Sequence, residues 1–349
     1  MKNKLKHLIP VLLVLAAITG SLSACESKPN DQQKVSKQGF YFDTIIQITL
    51  YGTTDEKYID GCFDMAKKYE DMLSNTVTDS EVSRINAAAG KEYVTVSDDT
   101  LGLIKKGIEY GDTSDGRFDI TIGKLSDLWN FSEIAENTDS KDNEVDSSVV
   151  PSDTKIQSEL SHVNYRNIQI NGNAVMLTDS EAKLDLGGIA KGFIADKMKA
   201  YLQSKKITSG IINLGGNVLT IGKKSDGSDY TVGIQKPFDE SGEPICTVKI
   251  KDKSVVTSGI YERYYRVDGK LYHHILDTTT GYPVKNNLYS VTIISDSSCD
   301  GDALSTTCFA LGIDKAKELI NSLSGVEAIF VTDDYSIITT SDEYEVSTD

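Results

Sequence analysis

Between residues 56 and 73 the apolar side chains Ile59, Cys62, Ala66, Tyr69, Met72 and Leu73 recur three and four positions apart. That spacing lines one face of an α-helix. A second run, Leu101, Leu103, Ile104 and Ile108, predicts another helix over 98–112. Ahead of both, Phe40 to Tyr51 alternates apolar and β-branched residues around Asp43-Thr44 and reads as a strand. Residues 132–148 break every period, with six acids against one lysine, so a solvated surface loop closed by Pro151 is expected there.

Strands and helices alternate in the second half. Residues 183–186 predict a short strand, followed by Gly187-Gly188 and a helix through Leu202. Segments 211–214 and 217–222 read as strands joined by a tight Gly215-Gly216 turn. Further strands are expected at 231–235, 246–251 and 290–295, with helices at 302–311 and 315–323. A terminal hairpin is expected from 328–332 and 336–340, around Asp333-Asp334. Strand runs with clustered helices argue an α+β fold.

The N-terminus follows a different rule. Lys2, Lys4 and Lys6 precede an apolar stretch from Val11 to Ile18, then Leu22-Ser23-Ala24-Cys25. Eight apolar residues fall short of the ~20 that a membrane-spanning helix needs, so residues 1–24 read as a signal peptide. The small residues before Cys25 match a bacterial lipobox, which makes Cys25 the expected lipidation site. Residues 25–38 are polar and read as a tether. The folded domain is expected over 39–345, on the extracytoplasmic face of the cell membrane.

Charge narrows the partners. The formal charge is −16, and loss of the three lysines in 1–24 takes it to −19. So acidic a surface repels phosphate backbones, which argues against nucleic acid as a ligand. An anionic ligand would need a local cation or a helix N-terminus. Cys62, Cys246, Cys299 and Cys308 lie in apolar segments without metal-ligand spacing and are expected as buried free thiols.

Four clusters carry candidate chemistry. If Asp302 opens a helix, Asp302, Ser305 and Thr306 share a face. One carboxylate and two hydroxyls suit Mg²⁺ bound beside substrate phosphates. By spacing alone, a helix cap is the commoner use of such residues. The turn Asp185-Leu186-Gly187-Gly188 before a helix offers backbone N–H groups to a phosphate, and Lys191 adds charge; a plain strand-to-helix turn accounts for it equally well. In Tyr272-His273-His274-Ile275, two adjacent strand histidines face opposite ways, so at most one lines a cleft. Phe118, in Gly116-Arg117-Phe118-Asp119, has the ring to stack on an aromatic ligand, though a core position is the default.

Taken in order, Phe42-Asp43-Thr44, Asp79-Ser80-Glu81, the 116–123 stretch, the 185–192 stretch, Asn213-Leu214-Gly215-Gly216-Asn217, Thr257-Ser258-Gly259, His274-Ile275-Leu276-Asp277 and Asp302-Ala303-Leu304-Ser305-Thr306 resemble the ApbE-like FAD:protein FMN transferases. The likeness spans about residues 40 to 340. It implies a T-fold-type α+β architecture with mixed or antiparallel sheets and flanking helices, and FAD in a cleft as substrate. It implies Mg²⁺ held by Asp302, Ser305 and Thr306, with the Gly188 carbonyl contributing from across the site. It places Phe42, Arg117, Phe118, Asp119, Asp185, Lys191 and Ile275 on FAD-contacting positions. His274 is the candidate acceptor of a proton from the acceptor threonine. The implied partner is an exported flavoprotein with a threonine flavinylation site. The chain departs from the pattern in carrying Phe42-Asp43-Thr44 where Met-Gly-Thr is common, and in lacking an aromatic residue at Thr76. An FAD pyrophosphatase would use the same metal face with water as nucleophile. A non-catalytic flavin-binding lipoprotein would not need that face.

Overall fold

The computed structural model describes residues 33–138, 143–239 and 241–348. The signal peptide expected over 1–24, the lipidation expected at Cys25 and most of the expected tether fall outside the described residues. Among those described, no helix is long and apolar enough to cross a membrane.

An eight-stranded antiparallel sheet organises the chain. Across it run Lys34–Tyr41, Thr44–Tyr51, Ser209–Leu214, Asn217–Gly222, Ser254–Gly259, Leu288–Ser295, Glu327–Thr332 and Ile337–Thr339. Helices Lys57–Leu73, Ala190–Ser204, Ser298–Leu311 and Ile313–Ser322 cover one face. Strand alternation divides the burial: Ile212, Val291 and Ile293 enter the helical core, while Val255, Ile294 and Ile329 point the other way. That second face packs against a small sheet of Tyr230–Gln235, Pro244–Ile250 and Val346–Ser347. The result is the expected α+β class.

A third cluster forms a separate lobe around Leu125, Trp129, Phe131, Ile156, Tyr265 and Leu276. Trp129 stacks on Phe131 at 5.5 Å, Phe131 on Tyr265 at 5.0 Å, and Tyr265 on Tyr272 at 5.6 Å. The indole N–H of Trp129 donates to the Gly281 carbonyl at 2.8 Å. This lobe carries the hairpin Tyr264–Val267 and Lys270–His273 toward the helical core.

Several expectations change. The 40–51 segment is a hairpin: Phe42 and Asp43, both at φ 53°, form its turn. Left-handed backbone costs a non-glycine residue roughly 1–2 kcal/mol. Here the Phe42 N–H bond to the Glu70 carboxylate, at 2.8 Å, helps hold the turn. The first strand begins at Lys34, so the last part of the expected tether pairs with Thr44–Tyr51 and belongs to the sheet. Within the expected acidic loop, Phe131–Glu136 is helical, because buried Phe131 anchors it to the aromatic stack. Segment 183–186 makes only an isolated bridge, Ile122 to Lys183, instead of a strand. The Gly215-Gly216 turn is present, with φ of 59° and 91°, and lies beside the Phe42-Asp43 turn at the same end of the sheet. The four cysteines are buried and free.

Candidate active site

Ser298–Leu311 is buried almost all round, so it sits between layers with little surface. It starts four residues earlier than its apolar pattern suggested, capped by Ser297, whose Oγ accepts from the Asp300 N–H at 3.1 Å. Asp302 therefore lies in the second turn and is not its own helix's cap. Its Oδ2 instead accepts from the Gly192 N–H at 2.9 Å. Gly192 is in the first turn of Ala190–Ser204, where helix N–H groups lack intrahelical partners. Asp302, only 4% exposed, thus caps a neighbouring helix, and its Oδ1 stays uncommitted among the described residues.

The two hydroxyls on this face separate. Ser305 is fully buried and donates to the Asp302 carbonyl at 2.9 Å. Ser258 Oγ stands 2.7 Å from Ser305 Oγ and 3.1 Å from Thr306 Oγ1. Thr306 alone keeps an accessible face. Across from it, a Cβ built on Gly188 would fall 4.0 Å from Thr306 Oγ1 and 3.2 Å from the Phe118 ring, so a side chain there would crowd the approach between them. Gly188 approaches Thr306, and Asp302 stands one turn before Thr306 on the same helix face, whereas Ser305 braces the helix through its own backbone. One carboxylate with hydroxyl and carbonyl oxygens fits Mg²⁺, which keeps several waters and takes its other oxygens from phosphates. Among the described residues there is no cluster of three or more histidine, cysteine or acidic side chains that suits a metal needing a full protein cage.

The 185–192 turn is less open to phosphate than its glycines suggested. The Gly187 N–H donates to Asp185 Oδ1 at 2.8 Å, and those of Ile189 and Ala190 donate to the Leu186 carbonyl. With Gly192 given to Asp302, the turn satisfies most of its own donors. Positive charge comes instead from half-buried Lys191, held by a 3.2 Å bond to the Gly187 carbonyl.

The rim is formed by 258–277. The carbonyl of Arg263 accepts from the His274 backbone N–H at 3.1 Å and lies 3.2 Å from His274 Nδ1. A carbonyl only accepts, so Nδ1 carries the proton and Nε2 keeps its lone pair. Desolvation, then the charge of Arg263, holds the His274 pKa down at about 3. Its neighbour His273 is core, its Nε2 bonded to the Val284 carbonyl at 3.0 Å, and burial lowers it to about 4. Crowding by surrounding protein lifts the Glu262 carboxyl to about 7; Asp302 adds to the rise, and Lys191 and Arg263 oppose it. Lys191, Arg263 and Asp302 thus lie near enough to act on Glu262, and Lys191 and Arg263 on His274.

Other expected contacts form the wall behind it. Phe118 is 5% exposed and meets Tyr110 edge-on at 6.1 Å, the core position expected of it by default. Asp119 is buried, with Oδ1 accepting from Thr121 and Oδ2 from the Tyr165 N–H. Its carboxylate is therefore spent on loop structure. Ile275 is buried in the main core, and its carbonyl accepts from the Val284 N–H. Arg117 bonds Asp277 at 2.9 Å and Thr279 at 3.2 Å, tying two loops at the cleft edge. Phe42 remains partly accessible on its strained turn. Sequence reasoning missed Ser258, Glu262, Arg263 and the Gly192 N–H as site groups. Ser258 lay inside a quoted motif, but only packing shows it reaching Thr306.

The ApbE family model matches residues 42–330. An FAD:protein FMN transferase of Klebsiella pneumoniae is 36% identical over 314 residues, covering 89% of this chain and 93% of the relative. The crystal structure of an ApbE protein from Thermotoga maritima superposes with a TM-score of 0.77 at 30% identity, covering 88% of this chain and 96% of the other. The flavin transferase ApbE from Vibrio cholerae superposes with a TM-score of 0.76 at 27% identity, with the same coverage of both chains.

Proposed function

This chain belongs to the ApbE family and is an FAD:protein FMN transferase, and from that premise we propose that it uses Mg²⁺ to move FMN from FAD onto a threonine hydroxyl of an exported acceptor, releasing AMP. The observation that carries this reading is the approach of Gly188 to Thr306, one turn after Asp302 on its helix, together with a His274 whose Nδ1 is spent on the Arg263 carbonyl and whose Nε2 is left to accept a proton.

The reaction is a phosphoryl-type displacement. The threonine oxygen forms a bond to the FMN phosphorus while the anhydride bond breaks, and AMP leaves with the bridging oxygen. The threonine proton passes to His274 Nε2. Bound phosphates beside the imidazole would raise its basicity from the low value of the empty cleft, because negative charge favours the imidazolium. Lys191 and Arg263 supply positive charge for the diphosphate in an otherwise strongly acidic chain. Asp302, Thr306 and the Gly188 carbonyl would hold Mg²⁺, which supplies Lewis-acid neutralisation of the leaving phosphate. Arg117 and Asp185 fix the loops that border the substrate.

The test is incubation of the mature protein with FAD, Mg²⁺ and an exported flavin-carrying domain, read by intact mass. One FMN added per acceptor, equimolar AMP, and no labelling after the acceptor threonine is changed to alanine are expected. Free FMN with every acceptor unlabelled would instead mark a pyrophosphatase, and FAD recovered whole a binding protein. The address is part of the same proposal: Leu22-Ser23-Ala24-Cys25 supports a lipid anchor on the extracytoplasmic face. Cys25→Ala should release the protein from membranes or stall its processing; unchanged fractionation and mature mass would refute the anchor.

A further inference from the structure

The two helices that meet at the site cap each other. Asp302, on Ser298–Leu311, accepts from the Gly192 N–H at the start of Ala190–Ser204. Asp196, one turn beyond Gly192 on that second helix, returns the contact. Its Oδ1 accepts from the Ser298 N–H at 2.9 Å, and its Oδ2 from the Cys299 N–H at 3.0 Å and the Ser297 hydroxyl at 3.1 Å. Each helix therefore gives an aspartate to the other's unsatisfied N-terminal donors. The helices cross closely: a Cβ at Gly192 would overlap the Ser298 carbonyl. Gly192 and Asp196 stand four residues apart, on one face, and so present both halves of the contact together.

We infer that Asp196 is a positioning residue for the metal site: by clamping the first turn of Ser298–Leu311 against Ala190–Ser204, it fixes which oxygen of Asp302 is spent on Gly192 and which faces Mg²⁺. The geometry supports this in two ways. All three donors to Asp196 lie within the five residues that precede Asp302, so its pull acts on the turn that aims that carboxylate. The Gly192 N–H is the one described partner of Asp302's carboxylate, so a small slide of one helix past the other would free Oδ2 and let the side chain rotate away from Thr306. Asp196 itself need not touch metal or substrate.

This inference rests on the magnesium reading above, and the experiment separates the two. FAD fluorescence quenching by the mature protein, without acceptor, is titrated with MgCl₂ for the wild type, Asp196→Asn, and Val248→Ala, a cavity variant in the outer sheet far from the cleft. Thermal melts are recorded alongside. The amide keeps the shape of Asp196 but removes its charge and turns one acceptor into a donor. Asp196→Asn should raise the half-saturating Mg²⁺ about 10-fold or more, the range seen when groups behind metal ligands are changed. FAD binding without Mg²⁺ should stay as in the wild type, and Val248→Ala should lower only the melting temperature. A shift in Asp196→Asn no larger than in Val248→Ala, in a wild type that responds to Mg²⁺, overturns the positioning role alone. A wild type whose FAD binding ignores Mg²⁺ overturns the metal reading and this inference together. If Asp196→Asn fails to fold, Ser297→Ala removes one bond to Asp196 together with the cap on the Asp300 N–H, and loosens the same first turn, with an expected shift of about 3-fold; no shift there overturns the proposal.

Discussion

The floor of the cleft, where Ser298–Leu311 crosses Ala190–Ser204, and its rim along 258–277 hold their functional groups differently. On the floor, Asp302, Ser305 and Gly192 are buried, and their polar atoms are tied by short bonds between rigid helices. On the rim, Glu262 and Arg263 lie on the connection between Ser254–Gly259 and Tyr264–Val267, and His274 hangs from one backbone carbonyl just past the end of a four-residue strand. Placing a hard cation demands oxygens fixed to a fraction of an ångström, which buried helices provide. Receiving a second protein requires surface and some freedom, which connecting segments provide. Floor and rim are joined at Ser258, whose hydroxyl meets those of Ser305 and Thr306.

That contrast can be broken most sharply at Asp302. Asp302→Ala removes the carboxylate from that helix face, and Mg²⁺-dependent FMN transfer should fall at least about 10³-fold, since a Lewis-acid metal contributes several kcal/mol to such a step. The fold should persist, with a lower melting temperature because the Gly192 N–H loses its acceptor. Full activity in this variant, or in the wild type with excess chelator, would refute the site. Within the same face, Thr306→Val should cost about 10-fold in transfer and raise the Mg²⁺ requirement. Ser305→Ala should leave that requirement nearly unchanged and lose about 1 kcal/mol of stability, because its hydroxyl bonds the helix. Equal effects at the two positions would show that both reach the metal.

On the rim, His274→Ala should lower kcat for transfer by about 10²–10³, the usual scale for a lost general base, while KM for FAD changes little. A matching rise in KM would make His274 a binding group. The smallest expected effect is thermodynamic. His273 is neutral when folded, near 4 against an ordinary 6.5. Below pH 6.5 the unfolded chain takes up a proton that the native state refuses, so stability is full above that value and declines as pH falls toward 4. The cost is on the order of 3 kcal/mol, one pKa unit being about 1.4 kcal/mol. Urea melts at pH 7.5, 6 and 5 should show the decline, and His273→Gln should make it shallower, leaving the share that the likewise lowered His274 contributes. An unchanged slope would place the acid sensitivity elsewhere.

Much of this protein is written locally. The helices Lys57–Leu73 and Asp98–Thr113 follow directly from apolar periods, and the paired strands around Gly215-Gly216 from alternation and turn chemistry. The order of motifs sufficed to name the family and to bring Asp302, Thr306, Gly188 and His274 forward as candidates. Periodicity did not reveal that 40–51 folds back at Phe42, since alternation continues through a two-residue turn. Nor could it find the Phe131–Glu136 helix, which exists because one phenylalanine docks on its near neighbour Trp129 and on Tyr265 from a distant segment.

Spacing along a helix is a property of the backbone repeat, so sequence alone put Asp302, Ser305 and Thr306 on one face. Which of them looks into the cleft was decided by the layers packed around that helix, which closed over Ser305 and left Thr306 accessible. Spacing likewise placed Gly192 and Asp196 together, while their meeting with Asp302 and Ser298 depends on segments about a hundred residues away. A hydrogen bond needs its partner within about 3 Å, and only the tertiary fold brings residues so far apart in the chain that close.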